Sequence, residues 1–177
     1  MITIESPSVS LNDERAPVRT VLDYDHWFDA ESKRDKIIHR VVEHHAKLGV
    51  IRNLVICAHG LPGSLQLGEG FNTVDAPLFS RWQGKVKKIW FRACLVARRD
   101  RFGHSMAREI ARHAQCWVVA STELQTDNRG RLPYGQLDTY EGLVLSFGPD
   151  GRIHWSHRYP STYQRSPDPN DWAFNRG

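Results

Sequence analysis

Three short apolar runs constrain the fold of this chain more than any other feature of its sequence. Residues 54–58 and 116–120 are continuously apolar, and residues 86–93 form a third run with an apolar centre. Such runs are typical of strands covered on both faces, as in parallel sheets. Residues 103–114 separate the last two runs and carry apolar side chains at helical spacing. This order predicts an α/β domain with a mostly parallel sheet.

Local patterns predict the elements before the first of these runs. Residues 18–24 have the composition of a strand, which would be the first of the sheet. A helix is predicted to follow it, beginning at a cap formed by Asp29 or Ser32 and continuing to about Leu48. Gly49 supplies the stop, because glycine readily adopts the conformation that ends a helix.

Two further segments have the pattern of strands. Residues 64–68 alternate between polar and apolar side chains and predict a short strand. Residues 143–147 and 152–157 flank Asp150-Gly151, and Asp-Gly between alternating runs is a strong turn signal. The C-terminal part of the domain is therefore predicted to be a β-hairpin.

Length and composition predict one domain with irregular ends. The chain has 177 residues, 40% of them hydrophobic, which is enough for a single core. Residues 1–17 are polar, contain two prolines and show no period, so we expect a loose N-terminal segment. The α/β domain is predicted over residues 18–159, followed by an irregular tail over residues 160–177.

The composition also bears on location and partners. No run approaches the roughly 20 apolar residues that span a bilayer, and the N-terminus lacks the features of a signal peptide. A cytoplasmic protein without membrane contact is expected, although leaderless secretion leaves no mark in a sequence. Three cysteines, two of them (Cys57 and Cys116) in apolar runs, argue against a disulfide scaffold.

Metal and nucleic-acid binding are both disfavoured. His44 and His45 are adjacent, so on a helix their side chains point about 100° apart, and no residues complete a zinc-spaced set. We therefore expect no metal and no other cofactor. The formal charge of +4 is small for a nucleic-acid-binding domain, and the arginines near residue 99 are expected to form a solvated face.

Two strand ends carry the side chains needed for nucleophilic catalysis. His59-Gly60 follows the apolar run at residues 54–58, and Ala93-Cys94 lies at the end of the run at residues 86–93. If these strands are parallel neighbours, both side chains emerge at the carboxyl edge, where such sheets build their sites. A thiol beside an imidazole is a minimal acyl-transfer site. Gly60 allows a tight turn, so its N–H and that of Cys94 are candidate donors to an oxyanion.

These strand ends resemble the two signatures of the caspase-like clan of cysteine peptidases, which includes caspases, metacaspases, gingipains, separases and CHAT domains. Residues 57–68 are similar to a bacterial caspase-like branch, and the resemblance extends over about residues 53–147. It implies a three-layer sandwich, with helices on both faces of a mostly parallel sheet. It also implies Cys94 as nucleophile, His59 as general base or orienting group, and a peptide or protein substrate.

The chain departs from caspases around the cysteine. Caspases carry Gln-Ala-Cys followed closely by Gly, with the histidine about 50 residues upstream. Here Arg92 precedes Ala93-Cys94, and the histidine at position 59 lies 35 residues upstream. The next glycine after Cys94 is Gly103. A degenerate, non-catalytic member of the clan therefore stays open.

The candidate substrate-binding residues are mostly acidic. Asp23 and Asp25 lie at the end of the first predicted strand, and Ser121 and Glu123 lie at the end of the fourth. The resemblance implies two kinds of specificity: in the clan an acidic pocket selects Arg or Lys at P1, the residue whose carbonyl is attacked, whereas caspases use basic residues to select Asp. These positions therefore favour a basic P1 residue.

Two functions of other classes stay open beside a peptidase. A non-catalytic caspase-like module that binds proteins, in a bacterial defence or effector system, would keep the fold without needing the thiol. A domain that binds a small anionic ligand at the strand edge would need only the sheet, although the chain has no glycine-rich phosphate loop. No residue indicates whether an exposed sheet edge pairs with a second copy, so the oligomeric state is not predicted.

Overall fold

The regular structure consists of many short strands and a few helices. The computed structural model describes residues 1–17, 20–99, 103–126 and 131–161. Within these ranges the helices are α1 (Arg34–Leu48), a 3₁₀ helix (Thr73–Trp82) and α2 (Gly103–Ala114). The strands are β1 (Ile2–Thr3), β2 (Ser8–Asp13), β3 (Tyr24–Phe28), β4 (Ile51–Cys57), β5 (His59–Leu61), β6 (Ser64–Gln66), β7 (Phe71–Asn72), β8 (Val86–Arg92), β9 (Trp117–Ser121), β10 (Gln136–Leu137), β11 (Gly142–Phe147) and β12 (Ile153–Tyr159).

Seven of these strands form one mixed sheet. Their order is β3-β2-β4-β8-β9-β11-β12. The five neighbours β3, β2, β4, β8 and β9 are parallel to one another. At one edge β11 is antiparallel to β9, and β12 is antiparallel to β11. Outside this sheet β1 pairs with β10, and β5, β6 and β7 form a small antiparallel sheet. The predicted α/β class with a mostly parallel sheet is confirmed.

The two strands that precede the candidate dyad are parallel neighbours, as predicted. Cys57 lies opposite Arg92 at the carboxyl ends of β4 and β8. Almost every residue of β4 is buried, which agrees with a strand covered on both faces. The segments that begin at Ala58 and Ala93 therefore leave the sheet side by side.

The N-terminal segment is not a loose lead-in, because it contributes a strand to the sheet. Every residue of β2 is buried, and the strand lies between β3 and β4. Val9 and Leu11 belong to the main core, whereas the residues that alternate with them are Ser8, Ser10 and Asn12. The expectation was wrong because buried polar side chains hide the apolar pattern of this strand.

The first predicted strand was also misplaced. Residues 18–19 lie outside the described ranges, residues 20–23 form no strand, and β3 begins only at Tyr24. Leu22, one of the apolar residues that suggested a strand, packs in a small cluster with Val55 and Cys57 on the sheet. β3 is an edge strand with mostly exposed or half-buried side chains, so it lacks a continuous apolar run.

Both predicted helices are confirmed. α1 ends at Gly49, as predicted, and the φ of this residue is 73°, a positive value that glycine adopts without strain. Its start differs slightly from the expectation, because the capping position is Lys33, while the Ser32 hydroxyl donates to the Asp29 carboxylate at 2.7 Å. α2 has the predicted bounds. None of the described helices is both long and apolar enough to cross a membrane.

The described helices pack on the same face of the sheet. Residues of α1, the 3₁₀ helix and α2 share one core cluster with alternate residues of the strands, such as Leu54, Ile56 and Phe91. On the opposite face, Val55 packs with residues of β1 and β10. The helical layer expected on the second face is not found among the described residues. Buried serines of β2 occupy part of this face, which leaves less apolar surface for a helix.

The C-terminal hairpin and the short strand are also as predicted. β11 pairs with β12, and the Gly148 N–H donates to the Arg152 carbonyl across the turn at 2.9 Å. Gly151 has a φ of 76°, which explains the glycine of the Asp-Gly turn. β6 lies within the segment predicted to alternate.

Two histidines contact each other between α1 and β3. His44 is buried on α1, and its Nε2 contacts Nε2 of His26. The Tyr24 ring lies 4.9 Å from the His44 ring. Burial lowers the pKa of His26 to about 4, with repulsion from His44 and Arg40 adding to the effect. Burial likewise lowers the pKa of His44. Both rings are therefore neutral at pH 7.

We expect the free energy of unfolding to fall as the pH is lowered from about 6.5 to about 4. In the unfolded chain, His26 and His44 take up protons near pH 6.5. In the folded protein they do so only at lower pH, so protonation favours the unfolded state in this window. Urea unfolding at several pH values across the window measures the slope.

Two glutamine variants test the origin of this slope. His26→Gln removes one of the paired rings and should flatten the dependence between these pH values. His39→Gln removes an exposed ring on the same helix and should leave it as in the wild type. A slope that is equally steep in His26→Gln would contradict the assignment.

Candidate active site

A small cavity opens at the carboxyl edge of the parallel strands. Its volume is about 140 Å³. The chain segments at or just after the ends of β2, β4, β8 and β9 supply its walls. The lining residues are Ala16, Pro17, Ala58, His59, Arg92, Ala93, Cys94, Gln125 and Thr126. The structure thus brings His59 and Cys94 to one site, as the sequence predicts.

A larger groove lies elsewhere on the molecule. It has a volume of about 470 Å³, and its walls include Trp90, Trp117 and Trp155. No cysteine or histidine lines it. The smaller cavity is therefore the candidate site, because it alone of the two holds a nucleophile beside a base.

His59 is held by a backbone group from another loop. Its side chain is exposed, and its Nε2 lies 2.8 Å from the carbonyl oxygen of Arg15. A carbonyl can only accept, so Nε2 carries the proton and donates it to this oxygen. In a neutral imidazole the lone pair is then on Nδ1. This hydrogen bond fixes both the ring and its tautomer.

The loop that presents the Arg15 carbonyl is anchored by an ion pair. The Arg15 guanidinium donates to both carboxylate oxygens of Asp13 at 2.7 Å. It also donates to the Gly68 carbonyl at 2.8 Å, and the Gly68 N–H donates to Asp13 at 2.9 Å. Burial raises the pKa of the Asp13 carboxyl, but the hydrogen bonds from Arg15 and Gly68 lower it further, so the net shift is downward. Asp13 is therefore charged at neutral pH and holds the loop after β2.

Cys94 lies in the turn that follows β8. Its side chain is half-buried, and the Gln125 N–H donates to Sγ at 3.3 Å. Leu95 has a φ of 61°, a conformation uncommon for a residue with a side chain. Its N–H donates to the Glu123 carbonyl at 3.1 Å, whereas the Cys94 N–H has no acceptor within the described residues. The turn is thus fixed around a backbone donor that is available to a ligand.

His59 and Cys94 share the cavity without a direct hydrogen bond between them in the described part of the chain. The Cys94 thiol lies 3.7 Å from the Gln125 carbonyl oxygen instead. Such geometry is common in sites without substrate, where catalytic hydrogen bonds tighten only in the complex.

Gly60 is required by a close approach of two loops. A Cβ at this position would overlap the Cys94 carbonyl oxygen and would come within 2.7 Å of Val96 Cγ2. The sequence analysis ascribed this glycine to a tight turn, but the positive φ of the β5–β6 turn belongs to Gly63. The His-Gly and Ala-Cys motifs can therefore pack this closely only because residue 60 has no side chain.

Gln125 is a site residue that the sequence analysis missed. Its Nε2 donates to Ser121 Oγ at 2.8 Å and to the Glu141 carbonyl at 2.9 Å, and its Oε1 accepts from the Glu141 N–H at 2.9 Å. These bonds fix the loop after β9, whose backbone N–H reaches Cys94. No sequence signal beyond its position shortly after a strand end would have identified it.

Arg92 is a second cavity residue that the sequence analysis did not single out. It is only 4% exposed, and its Cζ lies 4.8 Å from the centre of the Tyr140 ring. Its Nε and Nη1 have no hydrogen-bond partner among the described residues. The sequence shows only that this arginine directly precedes Ala93-Cys94.

The structure does not bring Asp23 and Asp25 to the cavity. They lie just before and within the start of β3, so they are far from the carboxyl end of that strand. The Asp23 carboxylate accepts from Ser8 and Tyr134, and these bonds lower its pKa against the opposing effect of burial. Asp25 accepts from Ser10. Their predicted position at the end of the first strand was wrong because the strand itself was misplaced.

Ser121 and Glu123 lie near the site but do not line the cavity. Ser121 is fully buried, and its hydroxyl donates to the Glu141 carbonyl at 3.0 Å. Glu123 forms an ion pair with Arg158 at 2.7 Å. Both residues support the loop that carries Gln125.

Comparisons with known proteins identify no family for this chain. No protein-family model matches the chain, and no curated protein matches it either. Within the described residues, no group of three or more His, Cys, Asp or Glu side chains is placed to hold a metal ion.

We expect Gly60→Ala to destabilise the fold and to impair the site. The added methyl group would displace the turn after β8, and overpacking of this kind costs about 1–3 kcal/mol of unfolding free energy. Urea unfolding measures the loss.

Gly148→Ala is the matched control for this substitution. At that position a Cβ would meet mainly the His154 ring, an exposed side chain that can move aside. Its effect should be clearly smaller. Equal losses in the two variants would show that the approach of the loops does not determine the requirement for Gly60.

Proposed function

We propose that the chain is a cysteine endopeptidase of the caspase-like type. The observation that carries the proposal is the position of His59 and Cys94 in one cavity, at the carboxyl ends of adjacent parallel strands. The hydrogen bond from His59 Nε2 to the Arg15 carbonyl adds support, because it leaves Nδ1 as the basic atom.

The first half of the proposed reaction is acyl transfer to the thiol. His59 Nδ1 takes the Cys94 proton as Sγ bonds to the substrate carbonyl carbon. The N–H groups of Cys94 and Gly60 donate to the oxyanion that forms. The imidazolium then gives its proton to the leaving amine as the C–N bond breaks, which leaves a thioester on Cys94.

The second half of the reaction is hydrolysis of this thioester. His59 takes a proton from water as the water oxygen bonds to the acyl carbon. The C–S bond then breaks, and the sulfur recovers the proton. The products are a carboxylic acid and an amine, and the enzyme returns to its initial state.

The positions of the two site residues on the sheet also support the proposal. A parallel core with the histidine after one strand and the cysteine after its neighbour is the arrangement that the resemblance implies. His59 is itself the first residue of the small sheet of β5, β6 and β7, and its backbone is paired there with Gln66.

Cleavage of a proteome-derived peptide library tests the proposal. Wild-type protein should generate new N-termini after one class of residue, as mapped by mass spectrometry, and Cys94→Ala should generate none. Cys116→Ala should behave as the wild type, because that thiol is buried and burial raises its pKa to about 12. If wild type and Cys94→Ala give the same N-termini, the peptidase proposal is wrong and a protein-binding module becomes the better interpretation.

Gln125→Ala should lower kcat/KM by roughly tenfold or more, because the loop that holds the Cys94 sulfur loses its side-chain hydrogen bonds. A positioning role should also slow alkylation of the Cys94 thiol by iodoacetamide. Gln83→Ala, at an exposed glutamine outside the cavity, should change neither rate. If Gln125→Ala loses stability but keeps both rates, the residue only supports the fold.

A further inference from the structure

We propose that the larger groove is a second binding site, and that its ligand is a planar aromatic anion. The groove lies on the face of the sheet away from the described helices, since Val119 in its floor packs with Ile2 of β1. Its volume of about 470 Å³ is within the roughly 300–1,000 Å³ of small-molecule sites. It shares no lining residue with the cavity that holds Cys94. The proposal therefore goes beyond the proposed peptidase function and does not depend on it.

The groove has a flat floor between two tryptophans. Trp90 of β8 is opposite Val119 of β9, and Ser146 of β11 is opposite Trp155 of β12. Val119 and Ser146 are opposite each other, so all four side chains point to the same face. Neighbouring strands lie about 4.8 Å apart, which separates the two tryptophan Cα atoms by roughly 14 Å. Because the two middle side chains are small, the sheet between the tryptophans is open to a ligand.

The tryptophan rings that flank this floor are held by other side chains. Trp90 Nε1 donates to Asn53 Oδ1 at 2.9 Å. The Trp155 ring stacks on the His157 ring, with centres 5.9 Å apart and planes 18° apart. Rings that are already fixed lose little conformational freedom when a ligand binds. The site is therefore preformed.

The exposure of the aromatic rings indicates the kind of ligand that covers them. Trp117 and Trp155 are 37% and 47% exposed, although both lie on strands of the central sheet. Exposed apolar clusters mark binding sites, and aromatic rings attract other aromatic rings beyond the area that they bury. Ile2 packs beside Trp90 and closes one side of the groove. The space is thus bounded, and it suits one planar ring system.

The charge around the groove selects an anion. Lys88 lines the groove, and its Nζ lies 5.1 Å from the centre of the Trp90 ring. Lys87 lines an adjoining hollow together with Lys88, and neither lysine forms an ion pair within the described ranges. Among the described residues no carboxylate lines the groove, and Glu5, in the hollow, is paired with Arg52 at 2.8 Å. A ligand carboxylate directed toward the two lysines is therefore complementary to the site.

NMR of the ¹⁵N-labelled protein tests the proposal, because each indole N–H gives its own signal. The probes are indole-3-acetate, its neutral analogue indole-3-acetamide, and cyclohexylacetate, an anion without an aromatic ring. Indole-3-acetate should shift the signals of Trp90, Trp117 and Trp155 and leave that of Trp82, a core residue, unchanged. Its Kd should be at least about threefold lower than that of either analogue, because each analogue loses one kind of contact. Equal Kd values for indole-3-acetate and either analogue would overturn the proposal.

Substitutions test whether the binding depends on the groove. Lys88→Gln should raise the Kd of indole-3-acetate to that of the amide, and Trp155→Ala should raise it by about tenfold. The matched controls are Lys47→Gln on α1 and Trp27→Ala on β3, where Trp27 is 41% exposed on the other edge strand of the sheet. Both controls should bind as the wild type does. Unchanged binding in Trp155→Ala, or an equal loss in Trp27→Ala, would contradict the assignment.

The same titration distinguishes two other occupants of the groove. Residues 162–177 begin shortly after Tyr159, which lines the groove, and include Trp172 and Phe174. If the wild type does not bind indole-3-acetate but Trp172→Ala/Phe174→Ala does, this segment fills the groove and the proposal is wrong. If the wild type does not bind it and sedimentation shows a dimer that Trp155→Ala lacks, the groove is an interface between two copies and the proposal is equally wrong.

A last variant separates this proposal from the peptidase proposal. Cys94→Ala should bind indole-3-acetate with the wild-type Kd, because Cys94 does not line the groove. Binding in the groove then stands even if the wild type cleaves no peptide. A Kd that rises in Cys94→Ala as much as in Trp155→Ala would show that the probe binds at the cavity, and would overturn the proposal.

Discussion

The parallel ladder between β4 and β8 determines where His59 and Cys94 of the candidate site lie. Because Cys57 is opposite Arg92, the residues that follow each strand leave the sheet at the same level. The ladder is buried in the middle of the sheet, so its register resists displacement. A shift by one residue would turn Arg92 to the other face and move Cys94 away from His59. The chemistry of the edge therefore depends on hydrogen bonds made within the sheet.

Two loops distant in sequence supply further contacts to His59 and Cys94. The loop after β2 gives a carbonyl to His59, and the loop after β9 gives an N–H to Cys94. Each loop is fixed by its own polar anchor, the Asp13–Arg15 ion pair in one case and the Gln125 side chain in the other. These contacts provide hydrogen-bond partners for the charged and polar groups at the carboxyl edge of the sheet. Arg92 differs from them, since its guanidinium faces the cavity region without such a partner.

The sequence predicted the parts of the fold that rest on apolar patterns. The parallel strands β4, β8 and β9, both α-helices and the C-terminal hairpin follow from runs, helical spacing and turn residues. β2 was missed because Ser8 and Ser10 are buried through hydrogen bonds to Asp23 and Asp25, contacts that no local pattern records. The contacts of Gln125 with Ser121, Glu141 and Cys94 were beyond sequence reasoning for the same reason. His59 and Cys94 were found because each directly follows a recognisable strand.

The contact between Gly60 and the turn after β8 has a consequence for how this site can evolve. The two motifs are separated in sequence, yet a side chain at position 60 and the present path of the chain at Cys94 are mutually exclusive. A lineage that replaces Gly60 must therefore also acquire a different turn after β8, through a compensating substitution or a change of loop length. Among descendants of this chain, the two segments should covary as one inherited unit, whether or not the thiol keeps its chemistry.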